Sequence, residues 1–224
     1  MNEPNPILES WAANAEAWKK TIEGNEIESR KLVTNQVILE TILEYKPRNI
    51  LDIGCGEGWL TRMLRHNSIH SFGVDAIEAL VNYAILQDGP YYTVGTYHDI
   101  AKGLVLNEQH FENAVINFAL IDKEETEMLI HHLPHLLQSE GFVFIQTLHP
   151  PMVIEEGQYV TGWREGSWNG MKQQFVKPYQ WYFRTITDWI KLFIEAGLVI
   201  QAIREPLHPN NGKPASIIFV LKNK

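Results

Sequence analysis

The chain has 224 residues, of which 45% are hydrophobic, enough for one α/β-sized domain with a substantial core. Its net charge is −8, from 19 basic and 27 acidic residues, without the Lys/Arg run expected of a dedicated nucleic-acid binder. No apolar stretch is long enough to span a membrane, and the N-terminus does not resemble a secretory signal. The single cysteine, Cys55, excludes an internal disulfide. We therefore expect a cytoplasmic protein.

Two helices are predicted before the first strand. Trp11 and Trp18 have the spacing of one helical face within residues 7–22. A second helix is predicted over residues 27–45, where a broad apolar face ends before Pro47.

Strands and helices then alternate along the chain. Strands are predicted over 49–53, 71–75, 92–97, 113–117 and 142–146, and helices over 58–66, 77–87 and 123–138. This alternation predicts an α/β fold with a doubly wound, mostly parallel, seven-stranded sheet and helices on both faces.

The last third of the chain begins with a long segment, 149–181, that has no regular pattern. A helix from Thr187 to Gly197 follows, and strands over 198–203 and 216–221 predict an antiparallel hairpin at one edge of the sheet. We therefore expect residues 1–224 to form a single domain. Its additions are an N-terminal helical cap (1–45) and a lid-like insertion between the fifth strand and the last helix (149–184).

The stretch Ile50–Trp59 carries the strongest functional signal. An apolar run containing Asp52 leads into a turn with glycine at positions 54, 56 and 58, and a helix start follows. Glycines allow a positive φ and a close approach of a ligand to the main chain, so this turn predicts a nucleotide site.

The position that follows the last of these glycines separates two classes of nucleotide. The dinucleotide fingerprint has a third glycine there, which packs the helix onto the strand. This chain has Trp59, whose side chain cannot take that role. An NAD-dependent dehydrogenase is therefore the disfavoured alternative.

Three motifs together resemble those of class I S-adenosylmethionine (SAM)-dependent methyltransferases. They are Leu51-Asp52-Ile53-Gly54-Cys55-Gly56-Glu57-Gly58, Val74-Asp75 and His98-Asp99-Ile100. The resemblance extends over residues 27–224. The pairs His149-Pro150, Arg184-Thr185 and Glu205-Pro206 are similar to a bacterial subgroup related to quinone-biosynthesis methyltransferases. The resemblance to class I SAM-dependent methyltransferases implies a Rossmann-like fold, SAM as cofactor and S-adenosylhomocysteine as product.

Candidate cofactor contacts follow from the strand ends and from the resemblance. A strand-end acid can accept hydrogen bonds from ribose hydroxyls, which indicates Asp75, although it could instead cap the next helix. The resemblance assigns the adenine amine to Asp99, a ring nitrogen to the next N–H, and the methionine amine to the carbonyl at Asn117. It also offers Arg30 for the SAM carboxylate, beside the alternative of a solvated arginine. The predicted cofactor-binding set is Arg30, Asp52, Gly54, Cys55, Gly56, Asp75, Ala76, Asp99, Ile100 and Asn117, in which Asp52 orders the turn and Cys55 is structural.

The binding site for the methyl acceptor is predicted on the N-terminal helix and the lid-like insertion. Both are rich in aromatic residues, which suit a flat or apolar molecule. The predicted substrate-lid residues are Trp11, Trp18, Tyr159, Trp163, Arg164 and Tyr182. His149 is the candidate general base, unless Pro150 and Pro151 mean that it only shapes a turn.

These features predict methyl transfer from SAM to an O, N or C atom of a small molecule. The alternative is a SAM-binding regulatory or catalytically inactive member of the fold. No metal is expected, because Asn117 stands where metal-dependent catechol enzymes need an acid. Neither a nucleic-acid nor a membrane partner is expected, and monomer and homodimer both remain open.

Overall fold

Seven strands form the central sheet of the computed structural model, which describes residues 5–106, 110–154 and 158–224. The strands are β1 (Asn49–Ile53), β2 (His70–Asp75), β3 (Tyr92–Val94), β4 (Asn113–Asn117), β5 (Phe142–Thr147), β8 (Val199–Arg204) and β9 (Ile217–Lys222). Their order is β3-β2-β1-β4-β5-β9-β8, parallel from β3 to β5, whereas β9 is antiparallel to both β5 and β8. The predicted doubly wound sheet and its antiparallel edge hairpin are confirmed.

The helices cover both faces of this sheet. They are α1 (Pro6–Glu23), α2 (Asn35–Glu44), α3 (Trp59–His66), α4 (Glu78–Asp88), α5 (Tyr97–Ala101), α6 (Glu124–Leu136) and α7 (Ile186–Glu195). On one face α2 and α3 contribute Ile38, Ile42, Leu60 and Leu64 to a core with Ile50, Val115 and Phe144 of the strands. On the other face α6 and α7 pack Leu129, Leu133 and Phe193 against Leu51, Ile116 and Ile145. Successive strand residues point to opposite faces, so each central strand is apolar on both.

The structure differs from the sequence-based expectation in three places. The helix predicted over 27–45 contains a π-helical turn, Arg30–Thr34, in which the N–H of Asn35 bonds to the carbonyl of Arg30. The third strand ends at Val94, and α5 begins three residues later. The segment predicted as irregular contains a 3₁₀ turn (Pro150–Met152) and an antiparallel hairpin, β6 (Gly162–Glu165) with β7 (Gln180–Phe183).

Candidate cofactor and acceptor site

A cavity of about 770 Å³ lies at the carboxyl ends of β1, β2 and β4. The strand order reverses between β1 and β4, which is where open α/β sheets bind ligands. The volume falls within the range of small-molecule sites. Its wall runs from the glycine turn (Gly54–Gly58), past the end of β2, to a set of aromatic side chains on α1 and on residues 168–182.

Two glycines of the glycine turn have separate roles. Gly54 has a φ of +73°, and a Cβ there would lie only 2.4 Å from the Cβ of Ala119. Gly56 has a φ of +56°, and no atom among the described residues lies within 4 Å of its would-be Cβ. Gly54 is therefore required by packing, whereas Gly56 leaves free space in the cavity against the main chain.

Asp75 links the glycine turn to the end of β2. Its Oδ2 accepts the N–H of Gly56 at 2.8 Å, and its Oδ1 accepts the N–H of Ile77 at 2.8 Å. Each oxygen keeps a second lone pair, and Asp75 and its neighbour Ala76 both line the cavity. Burial raises the pKa of Asp75. Cys55 also lines the cavity, and burial raises its pKa, so this thiol is not a thiolate nucleophile.

Asp52 is buried beneath the glycine turn and does not line the cavity. Its Oδ2 accepts a hydrogen bond from the Thr61 hydroxyl at 2.6 Å, and burial raises its pKa to about 7. The sequence analysis included Asp52 in the cofactor-binding set as the residue that orders the turn, and the structure gives it no contact with the cavity. Asp52 instead ties the end of β1 to α3, since its partner is on that helix.

Arg30 reaches the cavity from the π-helical turn. Its Nη2 atom is buried and has no hydrogen-bond partner among the residues described. Its guanidinium lies 5.3 Å from the ring of Trp59 and 5.9 Å from that of Trp18. Burial lowers the pKa of Arg30 and the charge of Glu57 partly offsets this, so the cation is desolvated without a full counter-charge. Such a group favours an anionic ligand.

The segment after β3 is a capped helix start, which corrects one predicted contact. The Thr96 hydroxyl accepts the N–H of Asp99, while Asp99 Oδ2 accepts the N–H and hydroxyl of Thr96. These bonds lower the pKa of Asp99, which lines the cavity. Ile100 lies in the core and donates its N–H to the Thr96 carbonyl, so it cannot read an adenine ring as predicted. Tyr97 faces the cavity instead, and its hydroxyl donates to the Ala119 carbonyl.

Asn117 lines the cavity at the end of β4, and a buried network fixes its side chain. Gln146 Nε2 lies 2.7 Å from Asn117 Oδ1 and 3.1 Å from the Thr34 carbonyl. The Ser216 hydroxyl donates to Gln146 Oε1 at 3.2 Å. Gln146, which the sequence analysis missed, therefore holds the amide of Asn117 from behind the cavity.

Six rings form what we call the aromatic cover: Trp11, Trp18, Trp168, Tyr179, Trp181 and Tyr182. Trp11 packs edge-on against Trp18 and Trp168, with ring centroids 5.2 and 5.4 Å apart. Asn14 of α1, itself buried, accepts the N–H of Val176 at 2.7 Å and donates to the Lys177 carbonyl at 2.7 Å. The cover thus joins the N-terminal helix to a segment more than 150 residues later.

Three predicted substrate-lid residues lie outside the cavity wall. Trp163 packs on Tyr182, Tyr159 packs on Phe183, and Arg164 donates to carbonyls of its own loop. Of the three, Trp163 alone packs on a ring of the cover, because it lies directly opposite Tyr182 where β6 pairs with β7.

His149 is also outside the cavity wall, although its neighbours Leu148 and Pro150 belong to it. The buried imidazole places Nε2 2.6 Å from Glu205 Oε1, and Nδ1 has no hydrogen-bond partner in the described part of the chain. The candidate general base is therefore buried away from the cavity, and the geometry gives no support for that role.

Comparison with known proteins decides the family. The model of a family described as a methyltransferase domain matches residues 29–203, more than half of the chain. The chain belongs to this methyltransferase family. Its sheet order and helices are those of the class I SAM-dependent methyltransferases, as the motifs predicted.

Individual relatives of this methyltransferase are distant. A Haemophilus influenzae protein of uncharacterized function is 26% identical over 211 residues, covering 83% of this chain and 81% of that protein. A SAM-dependent methyltransferase structure from Clostridium acetobutylicum has a TM-score of 0.62 at 15% identity, covering 93% of this chain and 96% of the other. A shorter match, 35% identical over 72 residues, is to the Caenorhabditis briggsae "Probable tRNA (uracil-O(2)-)-methyltransferase"; it covers 31% of this chain and 12% of that protein.

Helices capable of crossing a membrane were not found in the described parts of the methyltransferase.

Proposed function

We propose that this methyltransferase transfers the methyl group of SAM to a small molecule bound beneath the aromatic cover. The observation that carries the proposal is that one cavity holds both the glycine turn and the aromatic cover. A donor bound along the glycine turn therefore shares a single enclosed space with any molecule bound against the rings.

The residues present fit SAM. The free space at Gly56 admits a ligand against the main chain, and the unpartnered Nη2 of Arg30 suits a carboxylate. The remaining lone pairs of Asp75 suit ribose hydroxyls, and Asp99 keeps one oxygen without a partner among the described residues. In this assignment Arg30 binds the carboxylate, Asp75 the ribose and Asp99 the adenine.

The chain itself has to align two molecules and exclude water. SAM, when bound, supplies a methyl group on a sulfonium, which is already activated for transfer. The six rings of the aromatic cover desolvate the space above the glycine turn, and aromatic faces also stabilise a nearby cation. Alignment in an enclosed site can supply most of the rate enhancement, so the absence of His149 from the cavity wall is compatible with activity.

A small acceptor fits this site better than a macromolecule. Asn14, together with a Glu9–Lys177 ion pair, closes α1 onto the segment that carries Trp168 and Tyr179. The net charge of −8 disfavours a nucleic-acid backbone. The 72-residue match to a tRNA methyltransferase is an observation that favours an RNA acceptor instead.

Calorimetry with S-adenosylhomocysteine, SAM and NAD tests the cofactor first. We expect the two adenosyl ligands to bind and NAD not to bind; preferential binding of NAD would contradict the proposal. Incubation with SAM and a small-metabolite extract then tests the reaction by the release of S-adenosylhomocysteine. Tight SAM binding without release of S-adenosylhomocysteine with any fraction would favour a regulatory member of the family. Release only with an RNA fraction would favour an RNA substrate.

A further inference from the structure

The buried network behind Asn117 determines which way its amide faces. The carbonyl oxygen of Thr34 can only accept a hydrogen bond, so the Gln146 atom 3.1 Å away is its NH₂ group. That same NH₂ lies 2.7 Å from the Asn117 side chain, whose facing atom must then be its oxygen. The Ser216 hydroxyl donates to Gln146 Oε1, so both ends of the Gln146 amide have a partner that agrees with this orientation.

The consequence is a hydrogen-bond donor directed at the cavity. Asn117 Oδ1 is occupied by Gln146, and no described residue bonds to Asn117 Nδ2. Asn117 is partly exposed, and its Nδ2 is not among the buried atoms that lack a partner, so the NH₂ group reaches open space in the cavity. Gln146 is 1% exposed and does not line the cavity, so it acts only through Asn117.

We propose that Asn117 Nδ2 is a specificity determinant for the methyl acceptor and that Gln146 is its positioning residue. The acceptor is then a flat molecule with a hydrogen-bond-accepting oxygen, such as a phenol or an enol, and not an amine. The rings of the aromatic cover bind its planar body, and the fixed amide binds its oxygen. This inference rests on the proposed function, because it assumes that SAM takes the glycine turn and leaves the amide to the acceptor.

Three fluorinated probes of equal shape test this preference: 4-fluorophenol, 4-fluoroaniline and 4-fluorotoluene. Their affinities are measured by fluorine NMR on protein saturated with S-adenosylhomocysteine. One added hydrogen bond corresponds to about a fivefold change in affinity, so we expect the phenol to bind about fivefold tighter than the toluene, with the aniline near the toluene. Equal affinities, or no binding of the phenol to the saturated protein, would overturn the proposal.

Variants of the network sharpen the test. Asn117→Ala removes the preference, whereas Asn117→Asp presents an oxygen to the cavity, to which the aniline can donate and the toluene cannot, so that the aniline binds tighter than the toluene. Gln146→Glu cannot donate to Asn117, which turns the Asn117 amide around and likewise makes the aniline bind tighter than the toluene. If the buried Gln146→Glu variant fails to fold, Asn117→Asp carries the same test. Ser216→Ala is the matched control and keeps the preference, since the Thr34 carbonyl still orients Gln146.

Calorimetry with S-adenosylhomocysteine on the same variants separates the two proposals. We expect Asn117→Ala to leave that affinity within about twofold of the original, because the cofactor contact assigned to Asn117 is its main-chain carbonyl, which the alanine variant keeps. If S-adenosylhomocysteine weakens as much as the phenol does, the amide is a cofactor contact and the acceptor inference is wrong. If wild-type protein does not bind S-adenosylhomocysteine at all, the proposed function fails first.

Discussion

The glycine turn and the aromatic cover enclose the same cavity but are built differently. The glycine turn is held by main-chain bonds within one continuous stretch and its neighbouring strand, such as Gly54 N–H and Cys55 N–H to the carbonyl of Val74. The aromatic cover is held by side chains of α1 on a segment far along the chain, with Asn14 bonded to Val176 and Lys177.

This difference separates the two functions of the site. A main-chain turn packed against the sheet has few alternative conformations, so it binds an invariant cofactor precisely. A cover held by a few side-chain bonds can open and close without disturbing the sheet. Changes in the glycine turn should therefore affect folding and cofactor affinity, and changes in the cover should affect access. Four predictions test this contrast.

The largest effect is expected at Gly54. Gly54→Ala combines a positive φ with a 2.4 Å approach to Ala119, and should lower the free energy of unfolding by about 2–5 kcal/mol. Gly56→Ala is the matched control, because its Cβ enters open space; it should cost about 1–2 kcal/mol of stability yet abolish most cofactor affinity. Urea unfolding and calorimetry measure the two quantities, and equal losses of stability would contradict the separate roles.

Asp52 should make stability depend on pH. Burial raises its folded pKa to about 7 from an ordinary value of 3.8, so the folded state holds the proton more tightly than the unfolded state. The resulting stabilisation is complete below pH 3.8, decreases as the pH rises towards 7, and amounts to at most about 4 kcal/mol.

Asp52→Asn should remove this slope between pH 4.5 and 7.5 in urea-unfolding measurements. Asp188→Asn is the control, because hydrogen bonds from Thr161 and Thr185 lower the pKa of Asp188 and place its titration below that window. A slope that Asp52→Asn leaves unchanged would assign the pH dependence to other buried acids near the turn.

Arg30 should contribute chiefly to cofactor affinity. Arg30→Met removes the charge that we assign to the SAM carboxylate, and a hydrogen bond to a charged group is worth about 1.5–3 kcal/mol, so S-adenosylhomocysteine should bind about 10- to 100-fold more weakly. Lys31→Met, on the next and exposed position, should leave the affinity unchanged. Calorimetry compares the two, and a loss in both would indicate a general charge effect.

Asn14 should affect the aromatic cover and leave the glycine turn intact. Asn14→Leu leaves the Val176 N–H without its partner, a cost of about 1–3 kcal/mol for closing the cover, while the Lys177 carbonyl keeps its bonds from Ser10 and Trp168. Hydrogen exchange should then increase at residues 174–179 and stay constant at 50–58. Glu9→Gln breaks only the surface ion pair with Lys177 and should change exchange much less.

Local sequence signals predicted the glycine turn and the strands around it. The apolar run before Gly54 and the acid at Asp75 sufficed to bring Gly54, Gly56 and Asp75 onto one cavity wall. The start of α5 was also recoverable, because Thr96 and Asp99 have the spacing of a capping box, which the resemblance to His98-Asp99-Ile100 obscured.

Other positions were not predictable from a local pattern. The π-helical turn that directs Arg30 and Thr34 to the cavity has the same apolar periodicity as an ordinary helix. Trp163 and Tyr182 lie directly opposite each other on a paired hairpin, yet only Tyr182 lines the cavity, so the placement of the hairpin decides which ring reaches the cavity. His149 is a candidate base by residue type, yet its orientation follows from Glu205, which lies 56 residues away in the sequence.

The sequence by itself therefore determined the sheet and the glycine turn, because these depend on backbone preferences and apolar periodicity within short segments, and the resemblance of its motifs indicated the methyltransferase family. Only the tertiary structure decided the aromatic cover, the burial of His149 and the orientation of Asn117. Each of these depends on a side-chain partner distant in sequence, as the bonds from Gln146 to Thr34 and Asn117 illustrate.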